Sequence, residues 1–291
     1  MHIIENEYLR VSIADAGAEL TSVKTGSIER IWTADPAVWN RHAPILFPFV
    51  GKSMDGKYRI GNVEYPMATQ HGFARDMGFA CIEETPTSVK HELTSSEWTR
   101  ERYPYDFRLT VLHRVDRNRL FIEWTIENTG ARQMFFSIGG HPGFLLPAEI
   151  RKEDCFIMFP GCDELHYVSV NPAGYAVKDQ KTLHLQDSFI RYQEDIPNTW
   201  IFEDGQVKEV GIALPDKKPF AILHCDQFPM LAVWANPNGP FICLEPWLGR
   251  TDDDGFSGSI EEKKGIQRLK AGEGKVISYS IEFCKYNQLK G

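Results

Sequence analysis

Hydrophobic and polar residues alternate along most of this chain with the two-residue period of a β-strand. The segment 119–127 is an example, with apolar side chains at every second position: Leu120, Ile122, Trp124 and Ile126. Alternate side chains of a strand point to opposite faces, so this segment has one buried face and one solvated face. The preceding segment 107–115 joins it through Asp116-Arg117-Asn118, a short polar connection that predicts a hairpin.

The same alternation recurs near both ends of the chain, in segments 7–13 and 275–283. Helical character is confined to two short stretches, 35–40 and 259–264, and neither is long enough to form the crossover of a parallel sheet. No linker, low-complexity tract or repeat divides the chain. We therefore predict an all-β fold, a large antiparallel two-sheet sandwich, formed by residues 1–291 as a single domain.

One carboxylate interrupts the apolar pattern. Glu245 lies in the run 240–247, Pro-Phe-Ile-Cys-Leu-Glu-Pro-Trp, where alternation puts it on the same face as Phe241 and Cys243. Burying an ionised carboxylate costs several kcal/mol unless a partner compensates it, and the group otherwise protonates. Pro246 holds the backbone of Glu245 extended. Glu245 is therefore the strongest single candidate for a functional residue.

Composition narrows the class of partner. The chain has 40 acidic and 32 basic side chains, a formal net charge of -8, and no cluster of Lys and Arg offsets it. That balance argues against nucleic acid and favours a small molecule. No apolar run approaches the ~20 residues of a membrane helix, and the first residues do not have the pattern of a signal peptide. The six cysteines show no regular spacing of the kind that a disulfide framework would have. We expect a cytoplasmic protein with reduced thiols, and the sequence leaves the oligomeric state open.

Three further segments carry side chains suited to chemistry. The segment 70–75, Gln-His-Gly-Phe-Ala-Arg, places an imidazole and a guanidinium around a flexible glycine. The segment 139–144, Gly-Gly-His-Pro-Gly-Phe, lets a ligand approach the backbone closely, and 46–52, Leu-Phe-Pro-Phe-Val-Gly-Lys, ends an apolar run in a cation. Each has a plainer explanation when taken alone: a hydrogen-bonded loop histidine, an arginine paired with a neighbouring acid, and a lysine at a solvated strand end.

Together the four segments resemble the aldose 1-epimerase (galactose mutarotase-like) family, and most closely its LacX-type branch. The motifs that carry the resemblance are L-F-P-x-V-G at 46–51, H-G-F-A-R at 71–75, G-H-P-G-F at 140–144 and E-P-W at 245–247. They occur in the family's order, and the resemblance runs from about residue 6 to residue 283. It implies a galactose mutarotase-like supersandwich whose concave face binds a sugar, and an isomerase reaction that interconverts α and β anomers.

The resemblance also implies roles for individual residues. His141 matches the family's general acid and Glu245 its general base. His71 matches a second histidine that hydrogen-bonds the sugar. Arg75 matches an arginine that some branches use for sugar or sugar-phosphate oxygens.

Further candidates concern substrate binding. Lys52 falls near the position where better-known galactose mutarotases carry a binding arginine, a departure that weakens any inference of galactose specificity. Asp187, with Asp226 as the alternative, matches an acidic residue that binds a sugar hydroxyl. Aromatic rings that offer a flat apolar face to a pyranose are Trp247, Phe73 and Phe144.

The chemistry of the candidate residues agrees with these roles. Anomerisation removes a proton from the C1 hydroxyl and delivers one to the ring oxygen, so one acid and one base suffice, each typically worth ~10²–10⁴-fold. The reaction needs no metal, nucleophile or redox cofactor, and the histidines lack the H-E-x-x-H arrangement of zinc hydrolases. We therefore expect an aldose 1-epimerase of carbohydrate metabolism that acts on a hexose or a hexose phosphate.

Other readings stay open at this stage. A non-catalytic carbohydrate-binding protein would keep the concave face without turnover. A carbohydrate lyase or hydrolase is the second alternative, although glycosidases usually pair two carboxylates and only Glu245 stands out here. A metal held by His71, His141 and Glu245 would also be compatible with the residue types, and we do not expect one.

Overall fold

A computed structural model describes residues 1–192 and 199–286 of the protein. The strands of the described chain are β1 His2–Glu5, β2 Arg10–Ile13, β3 Leu20–Thr25, β4 Ile28–Glu29, β5 Ile45–Leu46, β6 Lys57–Ile60, β7 Val63–Pro66, β8 Ala80–Thr85, β9 Ser88–Thr94, β10 Phe107–Asp116, β11 Arg119–Asn128, β12 Met134–Phe136, β13 Ile138–Gly140, β14 Gly143–Leu145, β15 Phe156–Met158, β16 Glu164–Val168, β17 Lys181–His184, β18 Phe189–Arg191, β19 Trp200–Phe202, β20 Glu209–Ala213, β21 Pro219–His224, β22 Met230–Trp234, β23 Phe241–Leu248, β24 Gln267–Leu269 and β25 Gly274–Phe283. The helix α1 spans Glu97–Arg102, and 3-10 turns cover Met54–Gly56, Ala74–Asp76, Lys152–Asp154 and Ile260–Glu262.

Two large antiparallel sheets form the body of the molecule. The first has nine strands in the order β18-β15-β20-β21-β25-β11-β10-β9-β8. The second has the order β17-β16-β19-β22-β23-β13-β5, with β14 also paired to β23. Smaller sheets are β1-β2-β3-β4, β6-β7 and β12-β24. The predicted all-β antiparallel sandwich is confirmed.

The core lies between the two large sheets. Leu109 of β10 and Trp124 of β11 face it from the nine-stranded sheet, and Val233 of β22 and Leu244 of β23 face it from the other; all are fully buried in one continuous cluster. Along β11, buried and half-buried residues alternate, as its sequence predicts. Every residue of β23 is buried, because one face of this strand packs on the core while the other lies under additional chain.

The structure tests several predictions about individual segments. The hairpin is confirmed, with β10 and β11 paired from Phe107 opposite Asn128 to Asp116 opposite Arg119. The stretch 35–40 is a turn rather than a helix, because the backbone oxygen of Asp35 accepts two successive N–H groups and the chain then leaves the helical path. The helix α1 was not predicted, since six residues are too few to show a helical period.

The remaining general expectations concern cysteines, membranes and domains. All six cysteines, each within the described residues, are free thiols. Among the described residues, no helix combines the length and the apolar character that crossing a bilayer requires. The buried cluster between the sheets contains residues from Ile4 to Phe283, and the single-domain organisation of residues 1–291 stays a prediction.

Candidate active site

A cavity of about 430 Å³ lies against β22 and β23, on the side opposite the core-facing Val233 and Leu244. Its volume is in the range of small-molecule sites. Its described lining includes Trp39, Gly51, Lys52, Gln70, His71, His141, Asn171, Thr199, Trp234, Asn236, Glu245, Trp247 and Thr251. All four sequence motifs that carry the family resemblance therefore contribute to one cavity, although they are far apart in the chain.

Glu245 and His141 form the centre of the cavity wall. Glu245 lies in β23 opposite Ala232 of β22, and its side chain is 1% exposed. His141 directly follows β13, and its backbone N–H donates to the oxygen of Pro44 at 3.2 Å. His141 Nε2 and Glu245 Oε2 are 3.3 Å apart. Glu245 Oε2 and His141 Nδ1 are both buried, and neither makes a well-formed hydrogen bond within the described protein.

Burial shifts the acidity of both groups towards their neutral forms. Desolvation raises the pKa of the Glu245 carboxyl well above its ordinary value, and the Trp247 indole opposes this shift only in part. Desolvation also lowers the pKa of His141 to about 3. Both shifts have the same physical cause, because a low-dielectric wall disfavours a charge on either side chain. The burial of Glu245 predicted from alternation is confirmed.

His71 faces His141 across the cavity, with ring centroids 5.5 Å apart and the rings nearly perpendicular. Its Nδ1 accepts the backbone N–H of Gly51 at 3.0 Å, which assigns the ring proton to Nε2. Burial, together with the charges around it, holds the pKa of His71 well below its ordinary value. His71 is therefore a neutral ring that presents an N–H donor. Its backbone has φ 68°, an unusual conformation for a residue other than glycine.

Lys52 lines the opposite rim of the cavity. Its backbone N–H donates to Thr251 Oγ1 at 3.0 Å, and its Nζ donates to the backbone oxygen of Ala173 at 2.7 Å. The hydrogen bond to Ala173 ties the lysine to the loop that carries Asn171 and Gly174, which also line the cavity. An ammonium group has three N–H donors, so Lys52 can donate to a ligand in the cavity in addition to Ala173.

Two tryptophans in the wall were not predicted from the sequence. The Trp39 ring lies 4.9 Å from the His141 ring and 5.5 Å from the Trp234 ring, measured between centroids. Trp39 comes from the turn that was expected to be helical. Strand alternation would have found Trp234, because Val233 points into the core and its neighbours in β22 must point to the other face.

Trp247 is the third tryptophan of the cavity wall, and the position of its indole ring requires a small residue opposite it. Gly139 of β13 pairs with Trp247 of β23, and a Cβ at Gly139 would lie 2.4 Å from Trp247 Cδ1. Only a glycine leaves room for the indole at this position. The indole nitrogen is buried and makes no well-formed hydrogen bond to any described residue.

The structure does not bring the other predicted binding residues to the described cavity lining. The Arg75 guanidinium donates to the backbone oxygen of Gln70 at 2.8 Å and is not part of the described lining. Asp187 lies in the turn between β17 and β18, and Asp226 lies in the turn after β21. The two rings Phe73 and Phe144 are 3% and 0% exposed and pack in the core rather than on the cavity.

Some donors in the wall have the types that metals prefer. One donor atom each from His141, Cys243 and Glu245 lies within 4.8 Å of the others. Burial raises the pKa of the Cys243 thiol well above its ordinary value, and the neighbouring Glu245 adds to this. These three residues are one of two such groups among the described residues.

Comparison with known proteins agrees with this geometry. The aldose 1-epimerase family model matches residues 1–245. The plasmid-encoded protein LacX of Lactococcus lactis subsp. lactis is 29% identical over 295 aligned positions, covering 96% of this chain and 97% of the relative.

Solved structures extend the similarity to three dimensions. A galactose mutarotase related enzyme from Lactobacillus acidophilus is 30% identical with a TM-score of 0.92, covering 99% of this chain and 98% of that one. A galactose mutarotase-like protein from Lactobacillus casei ATCC 334 is 28% identical with a TM-score of 0.89, covering 98% and 100%. The resemblance predicted from four short motifs is confirmed: the chain belongs to the aldose 1-epimerase family.

Proposed function

We propose that the protein is an aldose 1-epimerase, an isomerase that interconverts the α and β anomers of a hexose or hexose phosphate. The observation that carries the proposal is the buried pair in one sugar-sized cavity, His141 Nε2 and Glu245 Oε2, 3.3 Å apart. The two oxygens that exchange protons in anomerisation are bonded to the same carbon. Two groups that serve them must therefore lie side by side, as this pair does.

The pair holds one transferable proton. Burial favours the protonated carboxyl of Glu245 and the neutral ring of His141. Moving that proton to His141 gives an ion pair with the same total charge. Each of the two forms contains one acid and one base, which is what anomerisation requires.

The reaction then balances without any other reactant. The Glu245 carboxylate removes the proton from the C1 hydroxyl, the His141 imidazolium protonates the ring oxygen, and the bond between C1 and that oxygen breaks. The product is the open-chain aldehyde, with Glu245 protonated and His141 neutral. After rotation about the C1–C2 bond, the former ring oxygen attacks the other face of the aldehyde and gives its proton to His141. The carbonyl oxygen takes the proton from Glu245, which restores the starting pair.

The rest of the wall is suited to holding the sugar. The Nε2–H of His71 donates to a hydroxyl, and Lys52 supplies a cation at the rim. The indole faces of Trp39, Trp234 and Trp247 cover the apolar face of the ring, and the N–H of Trp247 is a further donor. In this assignment Arg75 acts at a distance, because its charge lowers the pKa of both histidines after the larger effect of burial.

A non-catalytic sugar-binding protein would have the same cavity without turnover. An acid and base in contact are unnecessary for binding alone, and their burial is costly. A hydrolase of the two-carboxylate type is less well supported, because Glu245 is the only carboxylate in the described part of the cavity lining.

Substitution of the pair tests the proposal. We expect Glu245→Gln and His141→Asn each to lower the rate of mutarotation, followed by polarimetry, by ~10²–10⁴-fold. Surface controls are Glu164→Gln and His184→Asn, which alter an exposed pair of the same residue types. Unchanged rates in both site variants, with near-ultraviolet circular dichroism showing a folded protein, would refute the proposal. Sugar binding by the wild type in calorimetry with no rate above buffer would identify a binding protein.

Comparing the rates of mutarotation of several sugars would identify the preferred substrate. Freshly dissolved α-glucose, α-galactose and α-glucose 6-phosphate are compared at several concentrations. A hexose phosphate preference requires a cation, and Lys52 is the described cation of the lining. The variant Lys52→Met should therefore lower kcat/KM for the phosphate more than for the neutral sugars if the phosphate is the better substrate.

A further inference from the structure

A second cluster of donor atoms lies outside the cavity, at the β8 edge of the nine-stranded sheet. One donor atom each from His2, Cys81 and His91 lies within 4.8 Å of the others. These residues belong to β1, β8 and β9, and none of them lines the described cavity. The proposed epimerase chemistry leaves the whole cluster unused.

Strand pairing explains why the three side chains meet. Cys81 of β8 is directly opposite His91 of β9, so both side chains project from the same face of the sheet. His2 of β1 packs on this face, with its ring centroid 5.1 Å from that of His91. His91 is fully buried, whereas Cys81 is exposed and lies next to an irregularity in the register of β8. The sulfur can therefore rotate while the imidazole is fixed.

Asp15 places a carboxylate oxygen next to both imidazoles of this group. Its Oδ1 lies 2.8 Å from His2 Nε2 and 3.3 Å from His91 Nε2, while its Oδ2 accepts from the amino group of Met1. Zinc bonds of ~2.0–2.3 Å in a tetrahedron separate the donors by about 3.4 Å. The Asp15 oxygen and the two imidazole nitrogens thus have nearly the separations of a tetrahedral site, whereas the Cys81 sulfur, within 4.8 Å of a donor atom of each imidazole, must move closer as an ion binds.

A carboxylate outside this set orients one of the rings. His2 Nδ1 lies 2.8 Å from Glu84 Oε2, so this nitrogen donates its proton to Glu84 and leaves Nε2 for an ion. Histidines that bind zinc usually donate their other N–H to such an acceptor.

We propose that His2, Asp15, Cys81 and His91 form a binding site for one tetrahedral divalent transition-metal ion of the zinc type. Two imidazoles, one thiolate and one carboxylate suit zinc rather than magnesium or calcium, which prefer oxygen ligands alone. The ion would link the first strand to the β8 edge of the nine-stranded sheet. Since none of these four residues lines the described cavity, the proposed metal site does not depend on the proposed function.

Cobalt(II) is the probe, because a thiolate bound to it produces a charge-transfer absorption in the near ultraviolet. The full chain, reduced and without a polyhistidine tag, is titrated with cobalt(II) and then with zinc(II). We expect one equivalent of cobalt(II) per chain with this absorption, displaced by zinc(II), and a zinc-dependent rise in Tm. The variant Cys81→Ser should lose the absorption and bind at least tenfold more weakly, whereas the control Cys162→Ser should behave as wild type.

Two more variants separate this site from its alternatives. Glu84→Gln should weaken binding about 10–100-fold and keep the absorption, because it alters only the group that orients His2. Cys243→Ala should keep both the absorption and the affinity. Loss of the absorption in Cys243→Ala with retention in Cys81→Ser would place the ion in the sugar cavity and overturn the proposal. The absence of saturable binding to the wild type would also overturn it.

Discussion

Adding a single methyl group opposite Trp247 should reduce activity without unfolding the protein. In Gly139→Ala the new Cβ would lie 2.4 Å from Trp247 Cδ1, whereas ordinary contacts begin at 3.4 Å. Either the indole or β13 must therefore move by about 1 Å, and His141 directly follows β13. A 1 Å misplacement in an active site can cost about 10²-fold in rate, equivalent to about 2.7 kcal/mol of transition-state stabilisation. Overpacking should lower the free energy of unfolding by about 1–3 kcal/mol.

The assay is polarimetric mutarotation, with kcat/KM compared between variants and thermal unfolding measured in parallel. Gly78→Ala is the matched control, since a Cβ there would meet no atom within 4 Å and its backbone is not left-handed. In the Trp247→Ala background the added methyl group has room, so Gly139→Ala should then cost little further activity. An equal loss in both backgrounds, or full activity of folded Gly139→Ala, would refute the reasoning.

Three other predictions concern pKa shifts and backbone conformation. Because the folded state raises the pKa of Glu245, the free energy of unfolding should fall as pH rises above the ordinary carboxyl range. In chemical unfolding at pH 8, Glu245→Gln should therefore have a higher free energy of unfolding than the wild type. Burial lowers the pKa of His113 from 6.5 to about 3, so the free energy of unfolding should fall as pH drops below 6.5. Between pH 7 and pH 4 this decrease should be about 3 kcal/mol smaller in His113→Gln than in the wild type, whereas His184→Gln should show the same decrease as the wild type. His71→Asn, which tolerates φ 68°, should raise KM about tenfold with a small effect on kcat and on Tm, whereas a lowered kcat with unchanged KM would contradict a binding role.

Strand alternation predicted much of the fold because each long strand has one face on the core. The hairpin of β10 and β11 and the strand β25 follow from that pattern. Glu245 was also predictable, since its burial depends on neighbours within its own strand. The partner His141 needed the family resemblance, because a loop histidine has no local signature of function.

Other features depend on tertiary contacts that no local pattern records. Trp39 reaches the cavity through a turn closed by hydrogen bonds to Asp35, and the same residues are compatible with a helix. Arg75 has the expected position in its motif, but its direction is set by the bond to the backbone of Gln70. The pairing of Cys81 with His91 follows from the register of β8 and β9, which includes an irregularity.

The cavity assembles from segments that are distant in the chain, and this has a consequence for folding. His71, His141 and Glu245 come from a turn, the end of β13 and the strand β23, so no single hairpin contains the reacting groups. Such non-local contacts form only after large loops have closed, which is the slow part of folding for β proteins. Recovery of the proposed mutarotation after dilution from denaturant would therefore report the formation of these long-range contacts, and chains that lack them would give no signal.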